Sequence, residues 1–272
     1  MKYILAFSLA LAFSTHTAAQ TYVVGVEDTN FMPHYGFDKW RRYSGFARDL
    51  LDLFAEQTDV KLVYKALPTE ELGAALVEGK IDFKYPDNPD WARSDGSADA
   101  LSYSDPIVEY VDGVLVTPRR AGLAVEHLKR LALVEGWTPL GYQEQIESSQ
   151  ILAIRSDSLQ EMVRQTLLKN SDGAYYNVVV ALHYINNIRA RPDVLVFDPN
   201  LPHTRSAFRL STMKQTELLQ RFDDFLKEQQ ADIEALKAKH QVEAHIDSQY
   251  LGMEQWKIDF LKRQETKDAE EK

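Results

Sequence analysis

Runs of β-branched residues alternate with helically spaced apolar positions along the first third of the chain. Residues 22–26 (YVVGV) form a short apolar run that ends at Glu27 and Asp28, the profile of a buried strand whose carboxyl end opens into a loop. An aromatic-rich loop follows at 31–45 (FMPHYGFDKWRRYSG). Phe46, Leu50, Leu53 and Phe54 then recur at helical spacing with Arg48, Asp49, Asp52 and Glu56 opposite them, which predicts a helix lying on a sheet. A strand at 61–65, a helix that Pro68 and Thr69 open and Gly79 closes, and a third strand at 81–85 complete the run. Strand, helix, strand, helix, strand in this order requires right-handed crossovers and a parallel sheet. Ligands on such sheets sit outside the carboxyl ends of the strands, which makes Glu27, Lys84 and Tyr85 cleft candidates.

Residues 86–105 are rich in Pro, Asp, Ser and Gly and predict a long loop. After an extended segment at 112–117 (DGVLVT) the alternation restarts, with strands at 131–135 and 150–154, helices at 159–168 and 180–188, and a short strand at 194–197. This predicts a second α/β lobe. An extended segment at 207–210 precedes one amphipathic helix carrying Leu218, Leu219, Phe222, Phe225, Leu226, Ile233 and Leu236. Met253, Trp256 and Phe260 predict a last docked helix, and the charged residues 264–272 predict a disordered tail.

Composition narrows the chemistry. With 272 residues, 44% hydrophobic and 26% charged, the chain has enough apolar material for two modest cores. Lys and Arg total 31 against 41 Asp and Glu, and the resulting charge of −10 repels phosphate backbones, so no nucleic acid is expected as a partner. The absence of Cys excludes disulfides, thiol nucleophiles and iron–sulfur clusters. His34, His127, His183, His203, His240 and His245 are dispersed without metal-ligand spacing, and no Walker A, GxSxG or GxGxxG segment occurs. No metal, no cofactor and no enzymatic activity are therefore expected. Residues 1–19 carry Lys2, an apolar run at 4–13 and small residues up to Ala19, the pattern of a cleavable secretory signal peptide. No later stretch is apolar enough to span a bilayer, so the expectation is a periplasmic, monomeric protein with no stable membrane insertion.

The strand ending Val24-Gly25-Val26-Glu27, the aromatic loop, Gly45-Phe46 opening an acidic helix, Gly79-Lys80-Ile81-Asp82 and Tyr103-Ser104-Asp105-Pro106 together resemble the family 3 periplasmic solute-binding proteins. The order of the segments carries the resemblance across nearly the whole chain after the leader. It implies an α/β, two-lobed periplasmic binding protein-like fold (type II), each lobe a mixed sheet flanked by helices, joined by two hinge strands near 112–117 and 208–211. Lobe 1 is then 20–113 with the return at 209–263, and lobe 2 is 114–208. The implied function is capture of a small-molecule ligand in the interlobe cleft, followed by hand-over to a membrane permease. A membrane receptor is the alternative partner. A dehydratase-like enzyme using Glu27 and Lys84 is a further reading on the same fold.

The resemblance also names site residues and departures. Arg93, in Trp91-Ala92-Arg93, is the nearest match to the family's carboxylate-binding Arg, though the Thr-Pro that precedes that Arg elsewhere is absent. Gly136 and Thr138 match the lobe 2 ligand loop. Where family members hold an α-ammonium with a carboxylate, this chain has Tyr176 and Ala181, with Asn177 beside them, so a free α-amino acid held in the usual way is disfavoured. Lys84 is a charge inside a strand that should be apolar, and a buried ammonium needs a partner: an ion pair with Glu27 across the sheet, or the ligand. Tyr35, Trp40, Tyr43, Tyr85 and Trp91 supply flat faces for a planar or cationic ligand, or for packing.

Overall fold

The computed structural model describes residues 19–91, 100–135, 137, 139–188, 193–246, 250–251, 253 and 255–270. The leader up to residue 18, and the predicted site residues Arg93, Gly136 and Thr138, lie outside the described residues. The strands are β1 (Thr21–Glu27), β2 (Gly36–Phe37), β3 (Tyr43–Ser44), β4 (Lys61–Leu67), β5 (Phe83–Asp87), β6 (Ser102–Tyr103), β7 (Val108–Val116), β8 (Arg130–Val134), β9 (Leu152–Ser156), β10 (Gly173–Asn177), β11 (Val196–Phe197) and β12 (Thr204–Thr212). The helices are α1 (Phe46–Thr58), α2 (Thr69–Val77), α3 (Gln143–Glu147), α4 (Leu159–Leu167), α5 (Val178–His183), α6 (Thr216–Glu228), α7 (Gln230–His240) and α8 (Gln255–Glu270).

In the first lobe β1 lies between β4 and β5, parallel to both, as the crossover argument requires. In the second, β8 lies between β9 and β10, again all parallel. Two long antiparallel strands join these halves. β12 pairs with β7 over Thr204–Phe208 and then runs on beside β5 and β6, while β7 runs on beside β10. One continuous sheet therefore passes from lobe to lobe through β7 and β12, which are the two hinge strands. The fold is the two-lobed α/β type that the residue order implied.

Packing explains the element boundaries. Helix α1 turns Phe46, Leu50, Leu51 and Phe54 inward, and Phe54 meets Phe222 and Phe225 of α6 edge-on at 5.0 and 5.4 Å. The third strand begins at Phe83 rather than at residue 81, because Ile81 packs with Leu72 of α2 over Gly25, where a Cβ would stand only 2.3 Å from the Ile81 side chain. The long amphipathic helix is two helices that break at Gln229. The break keeps both on α1: α6 through its phenylalanines, α7 through Lys239 and His240, whose nitrogens lie 2.7 and 2.9 Å from Asp49 Oδ2.

The charged stretch after residue 264 is helical as far as Glu270, a correction to the predicted disorder. Its Lys, Arg, Gln and Glu content favours helix wherever a buried anchor starts one, and Ile258 is fully buried here. Lys257 also lies 3.4 Å from Asp193, and Leu251 and Met253 sit beside Leu182, Leu195 and Phe197, so this end of the chain packs on second-lobe residues rather than on α1. Among the described residues no helix is long and apolar enough to cross a membrane.

Candidate functional site

Glu27 ends β1, and its carboxylate is almost wholly buried. The Tyr35 hydroxyl donates to its Oε2 at 2.6 Å. Burial raises the Glu27 pKa and Asp87 adds to the rise, while the Tyr35 hydrogen bond and the Lys84 ammonium hold it down. Tyr35 reaches this position because the loop that carries it is fixed to the start of α1. Pro33 and His34 carbonyls accept from the Phe46 and Ala47 amides at 3.2 and 2.9 Å. Gly45 makes that contact possible, since at its φ of +102° a Cβ would lie 3.0 Å from the His34 carbonyl oxygen.

On the neighbouring strand Lys84 is buried, with Nζ 3.2 Å from Asp87 Oδ1 and 5.8 Å from the centre of the Trp91 ring. Asp87 also accepts from Ser211 Oγ at 2.5 Å and from the Asn88 amide at 2.8 Å, which ties the end of β5 to hinge strand β12. Asn88 extends the tie, donating to Ser206 Oγ and the Ala207 carbonyl, and Trp91 Nε1 donates to the Tyr110 hydroxyl. The carboxyl edge of the first sheet is thus a buried, mixed-charge patch walled by aromatic rings.

The second lobe faces it with more rings. Trp137, just beyond β8, stacks on Tyr176 of β10 at 4.7 Å and 12°. Phe31 of the first lobe reaches both, with centroids 5.9 and 5.6 Å away, and stacks on Tyr35 at 5.1 Å. Beneath this seam Asp112 of β7 stands in register with Asn177 of β10 and Thr204 of β12. Burial pushes its pKa up to about 7, against a smaller lowering by the Asn177 side chain. His34 is fully buried against Phe31 and Phe208, neither ring nitrogen has a partner among the described residues, and burial lowers its pKa to about 3.

The sequence profile of the bacterial extracellular solute-binding proteins, family 3, matches residues 22–243. The chain belongs to this family. A search of curated proteins finds no match for this family 3 protein. Among solved structures it is similar to a histidine kinase sensor domain with similarity to periplasmic binding proteins, at TM-score 0.68 and 17% identity, covering 82% of this chain and 96% of that one. An ancestral arginine-binding protein bound to arginine matches at TM-score 0.65 and 21% identity, covering 82% and 99%. A periplasmic binding protein of an arginine transport system from Legionella pneumophila matches at TM-score 0.64 and 15% identity, covering 82% and 100%. At these identities the likeness carries the fold.

Within this family 3 protein the structure gathers Glu27, Tyr35, Lys84, Tyr85 and Trp91 at one edge of the first lobe. Of the two partners open to Lys84, Glu27 or a ligand, Glu27 does not take the ion pair: Gly25 is the register partner of Lys84, and the ammonium pairs with Asp87. Tyr43 stands behind Tyr35, stacked between it and Tyr64. Tyr85 lies edge-on to Tyr35 and Phe208, fully buried, and its hydroxyl is without a partner among the described residues. Asn177 caps α5, its Oδ1 accepting from the Val180 amide at 3.0 Å, while it borders Asp112. Trp40 stands 64% exposed on the surface under Lys39 and Arg42, away from the other rings.

Phe31, His34, Asp87, Asp112, Trp137 and Phe208 were not singled out by sequence reasoning. For Asp87 a signal existed in its position three residues after an unexplained strand lysine. Phe31 opens the aromatic loop and Trp137 lies between Gly136 and Thr138, so both stood in segments that were marked, but nothing local says which aromatic residue meets which across a cleft.

Proposed function

We propose that the protein captures a small polar organic ligand between its two lobes and presents the closed form to a membrane permease for import. The observation that carries this is the convergence of Glu27, Tyr35, Lys84 and Asp87 at the carboxyl edge of β1 and β5, opposite Trp137 and Tyr176 of the second lobe. Among the described residues two carboxylates, Glu27 and Asp87, stand beside one ammonium at this edge and aromatic faces wall it, which favours a ligand with a cationic or planar end. The arginine-binding proteins of the same fold agree with that charge. A free α-amino acid held by an ammonium-binding carboxylate remains disfavoured, since Tyr176 and Ala181 occupy those positions. Arg93, Gly136 and Thr138 are proposed to complete the site. The protein acts as a monomer exported across the inner membrane with loss of residues 1–19, and it performs no turnover.

A receptor is the second reading of the partner, favoured by the likeness to a kinase sensor domain. Either way the binding step is tested by thermal-shift screening of residues 20–272 against metabolite pools. A ligand at a hundredfold excess over Kd stabilises the folded state by about 2.7 kcal/mol. A rise in Tm that Lys84→Ala and Glu27→Gln both diminish supports the site, and a ligand whose effect neither variant changes overturns it.

A further inference from the structure

We infer that Phe31 is a latch that holds the two lobes closed with no ligand between them. The ring travels with the first lobe, because its amide donates to the Tyr35 carbonyl at 2.8 Å and the same loop is bonded to the start of α1 through Pro33 and His34. The rings it meets travel with the second lobe: Trp137 follows β8 and Tyr176 belongs to β10. Those two rings are already stacked on one another, so they present a joint face to the incoming phenylalanine. Phe208 of hinge strand β12 closes the fourth side, edge-on at 6.3 Å.

Burial measures the completeness of the fit. Phe31 is 3% exposed and Tyr176 5%, and Tyr35 and His34 beside them are buried, as is most of Glu27. In a hinged binding protein the closed state is ordinarily favoured by ligand contacts made to both lobes at once. Here a side chain of the protein makes those contacts. Opening would return the faces of Phe31, Trp137 and Tyr176 to water, which the hydrophobic effect opposes. Two consequences follow. A ligand must enter through a minor open population, so its apparent affinity falls by that fraction. A partner that reads the closed shape meets it before any ligand arrives. The inference rests on the two-lobed fold and not on the ligand proposed above.

The test adds no ligand, so its result is separable from the question of what the cleft binds. The chain has no Cys, so Lys39→Cys in the first lobe and Glu144→Cys in the second give one defined pair for spin labels. Pulsed electron–electron distance measurement on the otherwise native chain is expected to give one short, narrow distribution. Phe31→Ala, and Trp137→Ala from the other side of the seam, are each expected to move it to longer and broader distances, with far-UV circular dichroism unchanged. Phe31→Leu, which keeps apolar bulk and lacks the ring, covers the case in which the alanine variants do not fold, and is expected to move the distribution in the same direction. A distribution that these substitutions leave in place, short or long, overturns the latch.

Discussion

Lys84 and Asp87 are meaningful only as a pair. An ammonium at this depth needs a counter-charge, and breaking one partner of a buried pair costs about 3–5 kcal/mol. Sequence inspection found the lysine because charge is conspicuous inside an apolar strand. The aspartate three residues on was a usable signal that went unread, because the turn after Tyr85 decides which carboxylate arrives. Asp112 shows the same limit and carries a pH prediction. Its carboxyl faces Tyr110 on its own strand, Tyr175, Tyr176 and Asn177 on β10 and Thr204 on β12, and burial among them lifts its pKa to about 7. An unfolded Asp titrates near 4, so between about pH 4 and 7 the folded chain holds a proton that the unfolded chain has released. Stability therefore falls as pH rises through that window, and the raised Glu27 adds in the same direction. Urea unfolding at intervals from pH 4.5 to 8 is expected to show the decline, and Asp112→Asn is expected to flatten it and to be more stable than the native chain at pH 8.

At the scale of elements, the junction between the aromatic loop and α1 sets the site. Gly45 precedes the helix with a positive φ, and its missing Cβ lets the backbone at His34 and Tyr35 lie against it. Gly45→Ala combines a disfavoured φ with a 3.0 Å contact to backbone, and a loss of about 1–3 kcal/mol is expected. The displaced loop carries Tyr35, so the same variant is expected to weaken ligand binding, whereas a surface helix change of equal cost leaves it intact. Chemical unfolding and calorimetric titration separate the two. The strand and helix alternation was legible because buried parallel strands read as continuous apolar runs and their covering helices as amphipathic ones. The two-residue hairpin of β2 and β3 was not, since two residues carry no period. Nor was the break between α6 and α7, because the apolar spacing continues across Gln229 and only the contacts of both helices with α1 show where it falls.

For the whole molecule, the decisive feature is that one apolar cluster runs through both lobes. It includes Val24, Phe46 and Leu50 on one side and Ala132, Met162 and Tyr176 on the other, joined at Phe31 and Phe208. The end of the chain adds a further connection, since α6 and α7 pack on α1 and residues beyond 250 pack against the segment around Leu195. A shared core makes the lobes one cooperative unit. Urea transitions followed by far-UV circular dichroism and by tryptophan fluorescence are expected to coincide, and two resolved midpoints would mean that the lobes unfold separately.

The order of residues determined, without coordinates, a chain of two α/β lobes crossed by two extended segments, of acidic charge, with its polar residues at the carboxyl ends of strands. The alternation of strands and helices, the charge and the strand-end residues follow from local periodicity or from counting, and the two crossing segments from the resemblance to the family. The tertiary structure alone decided that Lys84 answers to Asp87, that Asp112 lies under the seam, and that Phe31 fits against Trp137 and Tyr176. The Phe31 contacts join residues far apart in the chain, and strand register and lobe closure, which no window of sequence contains, choose them and the place of Asp112; Lys84 and Asp87 are only three residues apart, and the turn after Tyr85 brings them together.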